Sequence, residues 1–126
     1  MNKKFEKWAW TIIKKYQNIL LLNDHIVTLE YKKMKEEVVM EHEFMYPYKN
    51  TNIRYGEFAL EWWKKKKYKQ LTDVLIHELC HSVTDPLYSV GHDRFTTKDS
   101  LNEARERITD HIANVITHLT VDNRIK

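Results

Sequence analysis

Five residues constrain this chain more than any others: His77-Glu78-Leu79-Cys80-His81. Histidines four apart lie on one face of a helix, about one turn from each other, so both imidazoles can reach a single small cation. The flanks fit a helix. Thr72-Asp73-Val74-Leu75-Ile76 precedes the motif and Leu79 sits within it, so one side of the helix is core while the other carries His77, Glu78 and His81. Two histidines on the polar edge of an ordinary amphipathic helix is the plainer reading, and the apolar flanks weigh against it. Zinc takes nitrogen donors at roughly 2.0–2.1 Å in a tetrahedral shell, and a catalytic zinc site keeps one position for water. Glu78 can point at that water as general base. The expectation is a small zinc hydrolase acting on peptide bonds.

Such a site needs a core behind it, and 126 residues suffice for one domain spanning residues 1–126. Two glycines and two prolines leave little room for linkers. The single cysteine, Cys80, excludes an intrachain disulfide and any structural zinc site built on two or more thiolates. The net charge of +3 does not by itself imply a nucleic-acid partner. The charged amphipathic start, Met1 to Lys7, does not resemble a secretory signal, and no run approaches the length of a membrane span. A soluble, cytoplasmic protein with no membrane contact is expected.

Along the chain, Phe5, Trp8, Ala9, Ile12, Ile13, Tyr16, Ile19 and Leu20 follow helical spacing, giving a core helix over 4–22. A helix lying on a membrane surface is the alternative there. His25 to Lys33 alternates as a strand, Val38 to Tyr46 as a second, and Thr51 to Leu60 as a third. Short connections suggest an antiparallel meander. The motif helix is expected from about Lys67 to Val83, ended by Thr84-Asp85-Pro86-Leu87. A last helix follows over roughly 99–120, with Leu101, Ala104, Ile108, Ile112, Val115, Ile116 and Leu119 as its apolar stripe. The fold class is α+β.

The last helix must pack near the motif helix, and it offers Glu103, Glu106, Asp110 and His111 as the third ligand. Glu106 and Asp110 are four apart on one face. One carboxylate can bind metal while the other accepts an N–H from a ligating imidazole. Glu103 and Arg107 read as a surface ion pair.

His77-Glu78-Leu79-Cys80-His81 followed by Glu106-Arg107-Ile108-Thr109-Asp110 resembles the gluzincin metallopeptidases. Asp85-Pro86-Leu87 and the short length are also similar to the small zincin-type metallopeptidases of phage and prophage genomes. The resemblance covers roughly residues 50–120. It implies a minimal zincin-like domain with a three-stranded, mainly antiparallel sheet. It implies Zn²⁺ on His77, His81 and Glu106, Glu78 as catalytic base, and Asp110 supporting a histidine. It further implies that the strand ending near Leu60 is the sheet edge to which a peptide or protein substrate adds. The chain lacks a second lobe, so the oxyanion-stabilising residue is open among Tyr88, His92 and His111.

Gly91-His92-Asp93-Arg94-Phe95 resembles instead a segment of SprT-like proteases, in which a histidine is the third ligand. Glu106 is preferred over His92 and Glu103. The run Lys64 to Lys69 then has two readings, a DNA contact or a solvated helix entry or loop. A third class of function is a non-catalytic, zinc-stabilised protein-binding module. His25, His42 and His118 read as structural or solvated, Cys80 as a buried inert thiol, and Trp62 and Trp63 as an interface if exposed.

Overall fold

Leu71, Leu75, Ile76, Leu79 and Cys80 are fully buried, which puts the motif helix at the centre of the molecule. The computed structural model describes residues 2–44, 49–91 and 98–121. Its elements run α1 (Lys3–Ile19), β1 (Ile26–Tyr31), β2 (Met40–Phe44), β3 (Asn50–Tyr55), α2 (Glu57–Lys64), α3 (Tyr68–Gly91) and α4 (Lys98–Val121). The α+β reading holds. The motif helix α3 packs against α1, α2, α4 and β2. From α1 it meets Phe5, Ala9, Ile13 and Tyr16, the buried face that the helical spacing predicts. A fully buried Phe5 or Ile13 side chain contributes on the order of 1.5–3 kcal/mol when removed from water.

The sheet corrects the meander. Its order is β1-β3-β2, with β1 parallel and β2 antiparallel to β3. The link 32–39 does not fold β2 back along β1. It passes the end of β3, where Lys32 N–H donates to the Tyr55 carbonyl and Gly56 N–H to that of Val39. Met40 then pairs with Tyr55 on the far side. Short connections alone do not distinguish these routes; burying Met40 beside α3 does. Thr51, Ile53 and Tyr55 point into the core from β3. On the opposite face Arg54 pairs with Glu43 at 2.7 Å, and Asn52 joins Thr28 and Glu30. Such cross-strand polar pairs fix the register.

The third strand ends at Tyr55 rather than Leu60, because Gly56 starts α2. This strand is central, so it is not the edge that the resemblance implies. The edges are β1 and β2. Nor does Pro86 end the motif helix, which continues to Gly91. Ser82, Thr84 and Asp85 are held by Thr51, Thr109, His42 and His81. These contacts keep the residue before the proline helical against its local preference. The packed face of α4 is also rotated from the expected stripe. Thr109, Ile112, Ala113 and Ile116 turn inward, whereas Ala104, Ile108 and Val115 are exposed.

Trp62 and Trp63 are half-buried; Trp63 packs on Phe5, Trp8 and Tyr68. The lysine run forms the end of α2 and the turn into α3, with Lys67 over the Trp62 ring and Lys69 paired to Asp73. Among the described residues no helix is long and apolar enough to cross a membrane.

Candidate metal centre

Two buried hydroxyl pairs set how the helices carrying the site meet. Thr84 and Thr109 join α3 to α4 at 2.8 Å, and Thr51 and Ser82 join β3 to α3 at 2.8 Å. With Thr109 fully buried, Glu106 and Asp110 come to lie over His77 and His81 one turn apart.

The donor atoms converge. His77 Nε2 and His81 Nε2 are 3.1 Å apart, and the two Glu106 oxygens lie 3.4 Å from them, one from each ring. Four donors about 2.0–2.1 Å from a tetrahedral centre are separated by about 3.3 Å, so these spacings are those of one coordination shell. The other ring nitrogens face carboxylates. His77 Nδ1 is 2.7 Å from Asp110, and His81 Nδ1 is 3.1 Å from Asp85. A carboxylate accepts, so each Nδ1 is the donor, and Nε2 is the ring atom left to serve as a metal ligand. A cation at that point would be met by two ring nitrogens and a carboxylate. The surroundings add to this. Glu78, Asp85, Glu106 and Asp110 stand against Arg105 and a charged His42, a surplus of negative charge that a divalent cation would offset. His81 is deeply buried, whereas the His77 and Glu106 side chains are 25% and 41% exposed, so the cluster opens to solvent on one side.

Asp110 supports His77. His81 is supported by Asp85, a residue that sequence reasoning assigned to the helix end. Asp85 lies four residues after His81, the same spacing that singled out Glu106 and Asp110, so the signal was present. His42, read as structural or solvated, is buried and bonded rather than solvated. It pairs with Ile53 across the sheet and so shares the core-facing side of β2 with Met40. Its Nδ1 is 3.1 Å from Glu78 and its Nε2 2.5 Å from Asp85, while its ring stacks on His81 at 3.9 Å. Burial opposes a charge on His42, but the hydrogen bonds to Asp85 and Glu78 prevail and raise its pKa to about 9. Burial likewise acts to raise the pKa of Asp85, and its bonds to His42 and His81 overcome this, holding it well below the ordinary carboxylate range. A histidine alternating with Met40 and Phe44 along β2 is the sequence signal for His42.

His42, Glu78 and His81 also place donor atoms within 4.8 Å of one another and form a second geometric grouping for a metal. Both His42 nitrogens and His81 Nδ1 are already engaged by carboxylates there, so the grouping of His77, His81 and Glu106 is the better site.

Of the remaining candidates, Glu103 is exposed and pairs with Arg107 at 3.1 Å, and His111 is exposed on α4. His92 and the Tyr88 side chain lie outside the described residues. Cys80 is buried, and burial pushes its thiol up to about 12. A thiol reacts through its thiolate, so native Cys80 is expected to resist iodoacetamide at pH 8 and to gain reactivity only as pH climbs toward that value. Unfolding should restore labelling at pH 8, because a free thiol ionises near 8.5. Mass spectrometry before and after denaturant reads this directly, and rapid labelling of the native protein would contradict the buried assignment.

No family model matches the chain, and no curated protein or solved structure matches it.

Proposed function

We propose that this protein is a zinc-dependent metallopeptidase of the gluzincin kind, in which His77, His81 and Glu106 hold Zn²⁺ and Glu78 is the general base. The observation that carries this reading is the convergence of two imidazole nitrogens and one carboxylate at spacings that suit a tetrahedral shell, each imidazole backed by its own aspartate. When bound, zinc acidifies water and polarises a carbonyl oxygen.

The side chains do the rest. Glu78 follows His77 on α3 and lies beside His81, its side chain 9% exposed. It takes a proton from the attacking water and passes it to the departing amine. Asp110 and Asp85 hold the two imidazoles in one tautomer and orientation. An extended substrate adds along the free side of β2, the edge strand nearest the site.

Zinc-loaded protein incubated with an unfolded protein substrate should produce new peptide termini, readable by mass spectrometry. A chelator should stop cleavage and added zinc restore it. Cleavage that persists without metal overturns the reading. Zinc binding without any cleavage favours the protein-binding module. Cleavage that requires DNA and falls steeply with salt favours the SprT-like alternative acting through the Lys64 to Lys69 turn.

A further inference from the structure

The metal ligands and Glu78 leave unexplained why a histidine occupies the core-facing side of β2. Glu78 itself poses a second problem. A glutamate has three side-chain torsions, and fixing them costs conformational entropy. A general base must nonetheless be aimed within a fraction of an ångström to work well.

We propose that His42 is a positioning residue that aims Glu78: its Nδ1 donates to Glu78 Oε2 and leaves Oε1 as the oxygen that takes the proton. This rests on Glu78 being the base of the proposed reaction. His42 is suited to the task because it is itself immobilised from three directions. The register of β2 against β3 fixes its backbone opposite Ile53. Its ring lies nearly parallel to that of His81, 15° from coplanar. Its far nitrogen donates to Asp85. Asp85 uses one oxygen for His42 and the other for His81, so a single buried carboxylate sets both a metal ligand and the residue that aims the base. The two halves of the site, ligand shell and proton acceptor, are thereby held in one frame that spans β2 and α3.

The test uses three substitutions in the full chain, each loaded with zinc. His42→Asn keeps an amide nitrogen near the place of Nδ1, facing Glu78. His42→Gln keeps one near Nε2, facing Asp85, and His42→Ala keeps neither. Crystal structures of all four proteins read the Glu78 torsions, and steady-state kinetics read kcat and KM separately. The expected result is a Glu78 carboxylate that holds its direction in wild type and Asn and turns away in Gln and Ala. With this, kcat falls about 10–100-fold in Gln and Ala, KM changes little, and Asn recovers most of the loss. A Glu78 direction unchanged in Gln and Ala, or recovery by Gln equal to that by Asn, overturns the proposal. If wild type carries zinc but cleaves nothing, the peptidase reading fails by itself, and the Glu78 torsions still decide whether His42 aims that carboxylate.

Discussion

Glu78→Gln protein is expected to bind zinc as wild type does and to lose about 10²–10⁴-fold in kcat, the usual contribution of a positioned general base. The substitution conserves shape, and the amide oxygen still accepts from His42 Nδ1, which is 3.1 Å from the native carboxylate. Only the capacity to take a proton is removed. Glu78 lies outside the grouping of His77, His81 and Glu106, so zinc content should not follow activity. Metal analysis on the same samples used for kinetics separates the two. Hydrolysis at the wild-type rate would show that another group accepts the proton.

Glu106→Ala is expected to abolish tight zinc binding. It leaves two imidazoles, 3.1 Å apart, without the one anionic donor. The loss should exceed by a wide margin the about 10–100-fold expected for Asp110→Asn or Asp85→Asn, which disturb only the support behind a ligand. Competition against a chromophoric chelator measures all three. If Glu106→Ala holds zinc as tightly as wild type, Glu106 is not a ligand and the histidine alternative, His92, takes its place.

The candidate site residues that the structure brings together as the sequence leads one to expect are those whose partners lie one helical turn away. His77 with His81, and Glu106 with Asp110, follow from the geometry of a single helix. The same rule reaches Asp85 from His81, but Pro86 beside it made a helix end the stronger local inference. The structure resolves that conflict through hydrogen bonds from three other elements. His42 could not be placed this way. Its approach to Glu78 depends on which side of β3 the second strand joins, and that is decided by packing of Met40 and Ile53 against α3 rather than by any spacing within 38–46. The parallel pairing of β1 escaped for the same reason. Residues 57–60 read as strand because Phe58, Ala59 and Leu60 suit either period, and the break at Gly56 settles the matter in favour of α2.

The central claim is that the two imidazoles and Glu106 form one open coordination shell. An anomalous difference map at the zinc absorption edge, from crystals grown with zinc, tests this most directly. One strong peak is expected within about 2.0–2.2 Å of His77 Nε2, His81 Nε2 and a Glu106 oxygen, with a solvent molecule in the remaining position. A peak held instead by His42, Glu78 and His81, or one closed by a fourth protein ligand, would contradict it.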